Sequence, residues 1–462
     1  YNAGAGGEVR VWQLAYSPSG QPTSQPSQPS GQPTSQPSQP SSQPTAQPSR
    51  VPPREWFQVG AAVEAEAAGD QFGWSVSMSS DGSRVAVGAH TNDGAGIDSG
   101  HVRVFEFHSS SSSWTQLGSD IDGETGGDQS GYTVSLSGDG GRVAIGSTLN
   151  DGGGADSGHV RVFEYASSSW GQLGADIHGD AAGDSFGFGV SLSEDGGRMA
   201  IGAVYNDGIN GTDAGHVRVY EYDSLSWSQL GADIDGEGAG DYSGIVVSLS
   251  TNGDHLAVGA LHNDGVNGPS SGHVRVFVYD SSSWTQVGTD IDGEAAGDQS
   301  GVGVSLCCNG TRVAIGAYTS DGGGASDSGH VRVYEYDSSS WTQLGADIDG
   351  EAAGDRSGRV VSLSSDGSRV AIGAHLNDAG GSDAGHVRIF DYDLLSSSWV
   401  QIGADIDGNE ADGHSGTALS LSADGSRVAI GAYNAGIGGE VRVWQLAYLP
   451  SGEPTSQPTG QP

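Results

Sequence analysis

The word Trp-x-Gln-(Leu/Val/Ile)-Gly occurs seven times, at Trp56, Trp114, Trp170, Trp227, Trp284, Trp341 and Trp399, with successive copies 56 to 58 residues apart. A fixed period of this length marks a repeat architecture, in which each unit buries its apolar face against its neighbours. Between the words lies a constant order of segments, in the sixth unit "VVSLS", "RVAIGA", "HVRIFDY" and "WVQIG". Each alternates with period two and is bounded by Gly, Asn, Asp and Ser, the signature of short antiparallel strands. Asp-Gly pairs such as Asp81-Gly82, Asp366-Gly367 and Asp424-Gly425 fit tight hairpins between the first two strands of a unit.

Four antiparallel strands per unit and seven units predict an all-β fold, a seven-bladed β-propeller. A linear solenoid would need polar end caps, and none is evident. The Ser-rich segments ("SVSMS", "VVSLS") suit the innermost strand, where blades converge on the axis. The seventh unit has "TALSLS", "RVAIGA" and "EVRVWQL" but no Trp word after it, whereas "WFQVG" at 56–60 has no unit before it. The expected propeller therefore spans 54–448 and is closed by strand 56–60 pairing with the last blade, which removes an exposed edge.

Residues 17–53 obey other rules. Pro22, Pro26, Pro29, Pro33, Pro37, Pro40, Pro44 and Pro48 recur every three or four residues, each followed by Ser or Thr. Proline at this density blocks both helix and sheet ladders and predicts an extended, polyproline-II-like linker. Thirty such residues would span about 90 Å at ~3.1 Å each.

The charge excludes one class of partner. The 462 residues hold 57 Asp plus Glu against 18 Arg, with no Lys, for a net charge of −39. Nucleic-acid binding needs a basic footprint, so none is expected. No apolar run approaches the ~20 residues of a membrane span. The lack of an initiator Met and of a signal-peptide pattern leads us to expect a processed or excerpted chain. Two sequons, at Asn210 and Asn309, are N-glycosylation candidates and favour an extracellular or cell-surface location.

The unit "GDQFGWSVSMSSDGSRVAVGAHTNDGAGIDSGHVRVFEF" resembles the FG-GAP repeat of integrin α-chain propellers and of secreted microbial proteins. Phe72-Gly73 and Phe186-Gly187, then "VAVGA" or "VAIGA", then Gly-x-Val-x-Val carry the likeness. The resemblance implies the propeller fold in all seven units and leaves the activity open, because propellers host unrelated functions. Five units carry Ser-Gly in place of Phe-Gly. The family's acidic calcium loop is shortened here to "SSDGSR", which argues against calcium in that hairpin. The word "DIDGEAAGD" offers oxygen ligands elsewhere but lacks the spacing of an established calcium loop.

The linker resembles the stalks of hydroxyproline-rich and mucin-like glycoproteins. That likeness makes Ser19, Thr23, Ser24, Ser27, Ser30, Thr34, Ser35, Ser38, Ser41, Ser42, Thr45 and Ser49 candidate O-glycan acceptors, and the eight prolines named above candidate hydroxyprolines.

Candidate chemistry is sparse. His101, His159, His216, His273, His330 and His386 share one place in the third strand, and Glu440 takes it in the seventh unit. Rotation about a propeller axis separates such positions too far to converge on one ion, so structural histidines are expected and no metal site is assigned. The matching arginines, Arg103 to Arg442, are expected to pair with carboxylates or stack on aromatics. Cys307 and Cys308 are adjacent and replace the Ser-Ser of other units. A vicinal disulfide and two free thiols both fit, and no Cys-x-x-Cys redox motif is present. No nucleophile elbow, phosphate loop or zinc spacing occurs, so catalysis is not expected, and calcium at the acidic word is the one cofactor left open.

Residues 1–16 repeat residues 433–448, and 449–462 return to the linker's composition. The first sixteen residues read as a strand segment that completes a preceding or neighbouring propeller, and 449–462 as the start of a next linker. We therefore expect a structural subunit of an extracellular glycoprotein filament, self-associating head-to-tail through glycosylated rods. The alternative is an adhesion or glycan-binding propeller on a glycosylated stalk.

Overall fold

The computed structural model describes residues 54–448. The 1–16 copy, the linker with its candidate O-glycan and hydroxyproline positions, and 449–462 lie outside the described residues. The rest is all-β: seven antiparallel sheets, each with four main strands and a two-residue fifth. Blade 4 is representative, with an inner strand Val246–Leu249, a second His255–Ala260, a third His273–Tyr279 and an outer Trp284–Gln286.

Burial explains the order. The second strands, such as Arg312–Ala317, are buried at every position but the first, as befits the middle of a blade covered on both faces. Inner strands such as Val360–Leu363 alternate half-buried with buried residues. Outer strands such as Trp341–Gln343 pair with the third strand on one edge only and are mostly exposed. The core is accordingly divided into seven clusters, each built from adjacent blades.

The two-residue fifth strand is a feature that strand patterning does not foresee. Ile291–Asp292, from the acidic word, pairs with His273 and Val274 at the start of the third strand, and every blade repeats the arrangement. Two residues are too few to show a period.

Three hydrogen-bonded rings run round the molecule. The main-chain N–H of Met78, Leu136, Leu192, Leu249, Leu306, Leu363 and Leu421 each donates to a serine Oγ on the preceding inner strand, at 2.9–3.1 Å. Where the inner strands end, Ser80, Gly138, Glu194, Thr251, Cys308, Ser365 and Ala423 pass one main-chain hydrogen bond from each to the next, 2.7–3.1 Å, and return to Ser80. At the perimeter each of the seven tryptophans donates Nε1–H to a carbonyl of the preceding blade. The glycine of the Trp word packs beneath the next tryptophan: at Gly118 (φ +79°) a Cβ would stand 2.8 Å from Trp170 Cδ1. The repeated words thus specify the contacts between blades.

Blade 7 closes the ring from both ends of the described chain. Its inner, second and third strands are Ala418–Leu421, Arg427–Ala432 and Glu440–Tyr448, and its outer strand is Arg54–Gln58. Arg54 pairs with Tyr448 and Gln58 with Trp444. Trp56 Nε1 donates to Ile402 O at 3.0 Å, so it bonds to the sixth blade's Trp word as every other tryptophan bonds to its predecessor.

Candidate functional site

The repeated histidines sit at the blade junctions. Each of His101, His159, His273, His330 and His386 lies with a Glu and an Asp of the neighbouring acidic words, for example His159 with Glu124 and Asp176. A guanidinium holds the same Glu: Arg161–Glu124 is 3.7 Å and Arg332–Glu294 3.3 Å. The arginine also donates Nη2–H to a carbonyl of the preceding fifth strand, Arg161 to Asp122 O at 2.7 Å, and stacks on an aromatic ring, that of Phe163 at 5.3 Å. Burial pushes His159 and His273 down to about 4, so both imidazoles are neutral at physiological pH. None of these histidines lines either axial cavity. The acidic word ends in a buried Asp with local duties: Asp298 Oδ2 accepts the Ala295 N–H at 2.9 Å.

Cys307 and Cys308 are not joined in the structure. Cys307 Sγ takes the place of the serine Oγ of other blades, donating to Asn309 Oδ1 and accepting from Arg312 N, both at 3.1 Å. Cys307 is packed in the core while Cys308 lines the narrow end of the axis. Asn309 is exposed in the inner hairpin, its Oδ1 occupied by this turn. Asn210 is exposed on a loop between the second and third strands, where its amide donates to Gly236 O at 2.6 Å.

The axis has two unlike ends. Where the inner strands finish, a cavity of about 160 Å³ is rimmed by the main-chain ring. Where they begin, a cavity of about 520 Å³ opens, a size suited to a small ligand. Directly after the Phe-Gly or Ser-Gly of each unit stands a residue that belongs to no consensus: Trp74, Tyr132, Phe188, Ile245, Val302, Arg359 and Thr417 in blades 1 to 7. All seven line this cavity. Trp74, Tyr132 and Phe188 form a contiguous arc, with ring centroids 5.7 and 4.9 Å apart. The arc continues one way through Tyr205, Tyr242 and His262. The other way, it passes through Tyr433 to His414, which stack at 5.1 Å.

Arg359, in blade 6, lines the same cavity and reaches the Trp74 part of this arc. Its guanidinium lies 5.6 Å from the Trp74 ring centroid and donates one hydrogen bond, Nη1–H to Thr417 O at 3.2 Å. No carboxylate is within ion-pair distance of it among the described residues, whereas third-strand arginines such as Arg161 and Arg388 each have one. Arg359 is half-buried, and burial without a counter-charge draws its pKa below the ordinary value. Arg356 lies beside it over Tyr318 at 5.7 Å. Burial, aided by Arg359, pushes His375 down to about 2, so this neighbour is uncharged. Sequence reasoning centred on shared words passes over these residues. The signal that finds them is the opposite one, the single inner-strand column that differs in every unit.

A family model described as the FG-GAP repeat matches residues 64–105 and 178–220. No curated protein matches the sequence. Among solved structures, hydrazine synthase of Kuenenia stuttgartiensis is similar, with a TM-score of 0.53 and 14% identity over 85% of this chain and 100% of that one. A putative 6-phosphogluconolactonase from Bacteroides uniformis gives 0.51 and 13% over 72% of this chain and 85% of that one. At these identities the likeness is one of fold alone. No helix among the described residues is long and apolar enough to cross a membrane. The ring of seven sheets makes this chain a seven-bladed β-propeller, two stretches of which match the FG-GAP repeat model.

Proposed function

We propose that the protein is a non-catalytic structural subunit of an extracellular filament, in which propeller beads are joined head-to-tail by O-glycosylated Pro/Ser/Thr rods. The observation that carries this reading is the filled ring combined with a duplicated strand sequence. Residues 1–16 and 433–448 differ only at Ala5 and Ile437. In blade 7 that sequence forms the third strand, whose two edges are already taken by Arg427–Ala432 and Arg54–Gln58. The copy at 1–16 has the chemistry of a third strand, and its complementary second and outer strands are used up within this ring. A partner ring supplies them, either along the same polypeptide or from a neighbouring subunit by strand donation. Such a contact is heterologous and propagates into an open fibre.

Electron microscopy of native material tests the reading: filaments with a regular bead spacing are expected, and isolated particles would overturn it. Peptide mapping with glycosidase treatment should place glycans on residues such as Thr23 and Thr34. An unmodified linker would remove the glycosylated-rod part.

A further inference from the structure

We propose that the wide axial mouth is a binding site for an acidic saccharide, with the Arg359 guanidinium taking the carboxylate of a uronic-acid-type sugar and Trp74 and Tyr132 taking its ring face. The inference concerns the mouth of a single ring and stands independently of filament assembly.

Three observations carry it. The first is variation in place. Repeats here keep the residues that join blades, yet one column at the axis holds a different residue in each blade, aromatic in blades 1 to 3 and basic in blade 6. Packing does not demand an arginine there, since Val302 fills the same position in blade 5.

The second is unspent hydrogen-bonding capacity. A guanidinium has five N–H donors, and Arg359 commits one of them to protein. Buried polar groups without partners are costly unless something else satisfies them.

The third is the match of shapes. A planar guanidinium fork suits a planar carboxylate in two parallel hydrogen bonds. The adjoining surface combines flat aromatic faces with hydroxyls, from Tyr132, Thr133, Ser75 and Thr417. The hydroxyls of Ser75, Thr133 and Thr417 donate to main-chain carbonyls and keep lone pairs to accept from a ligand. A ring that is apolar on its faces and hydroxylated at its edges uses both the aromatic faces and these acceptors, whereas a hydrocarbon would use the faces alone. The chain's net charge does not forbid an anion here, because exposed charges are screened beyond about 8–10 Å at physiological salt.

Titration calorimetry on the full chain tests the site, with trigalacturonate as the acidic probe and galactotriose as its neutral counterpart. Trigalacturonate is expected to bind one site per chain, and galactotriose about tenfold or more weaker. R359Q should weaken trigalacturonate by about tenfold or more, R359K by less, and W74A by several-fold, each with a cooperative melt like that of the parent. E194Q, at the narrow end, should leave binding unchanged. Equal binding of the two saccharides, no binding of trigalacturonate, or full affinity in R359Q would overturn the proposal. Inorganic sulfate that competes as strongly as the saccharide would overturn its sugar part. The comparison of the two probes on the unmodified chain decides the matter even where a variant fails to fold.

Discussion

Blade 4 comes from one continuous stretch, residues 246–292, whereas blade 7 joins residues 418–448 to residues 54–64. The two are built from the same contacts. Trp284 and Trp56 each donate Nε1–H to the preceding blade, at 2.8 and 3.0 Å, and Ser248 and Ser420 each accept a main-chain N–H of the following one. They differ in how the outer strand is held. In blade 4 a hairpin joins it to the third strand, and three residue pairs suffice. In blade 7 no hairpin exists and the ladder is five pairs long. Arg54 adds a 2.8 Å ion pair to Asp391 of blade 6, and Glu55 accepts the Ala404 N–H. Where covalent connection is missing, extra hydrogen bonds and an ion pair offset the entropy that a short turn would have saved.

Acidification should separate the two blades most. Burial pushes His273 of blade 4 down to about 4 from an ordinary 6.5. Between those values the unfolded chain binds more protons than the folded one, so stability falls as the pH is lowered through this window and levels off below it. His159 behaves alike, and burial lowers the other four third-strand histidines in the same direction. Each unit of lowering is worth about 1.4 kcal/mol. Blade 7 carries Glu440 at this place, which burial raises above its ordinary 4.5. Its contribution has the opposite sign, with strain relieved as it protonates. Hydrogen exchange from pH 7 to 4 should show blades 1 to 6 losing protection before blade 7, and uniform loss would break the distinction.

Truncating the perimeter tryptophans comes next. Trp56 is 7% exposed and Trp227 only half-buried. W56A should therefore cost about 3–5 kcal/mol and W227A less. Only W56A should open residues 440–448 to rapid exchange, because its strand has no hairpin to hold it. Equal exchange in the two variants would mean that the seam is no weaker than a blade interior.

Smaller effects should be equal at both sites. A Cβ at Gly403 or Gly231 would lie 2.7 or 2.9 Å from the Cδ1 of the next tryptophan, at φ +73° and +83°. Each Gly→Ala change should lower stability by roughly 1–3 kcal/mol in denaturant melts. Smallest, S420A and S248A each orphan one N–H at the axis, those of Met78 and Leu306, and should cost about 1 kcal/mol apiece. A seam variant consistently costlier than its interior twin would show that closure is strained.

The words that recur were enough to read the strands, their order in a blade and the number of blades, because those words also make the contacts between blades. Val85, Val143 and Val313 are legible as core for that reason. Ile291–Asp292 escaped notice because it is shorter than one strand period. The Cys pair leaves two chemistries open in the sequence, and its placement, Cys307 in the core and Cys308 at the axis, was not legible there. The mouth was the least legible part. Trp74, Tyr132, Phe188 and Arg359 lie up to 285 residues apart in sequence (359 minus 74) and become neighbours only when the ring is shut.

The pairing of Arg54 with Tyr448 has a mechanical consequence. The polypeptide enters and leaves the ring side by side, at the same end of one ladder. Tension applied through these two points does not shear five pairs at once; it unzips them singly, starting from Arg54 and Tyr448. A bead of this kind yields at low force, lets out its closing strand, and can re-zip when the load is gone, while the other six blades keep their hairpins. In a fibre made of such beads, extensibility would reside in the seam.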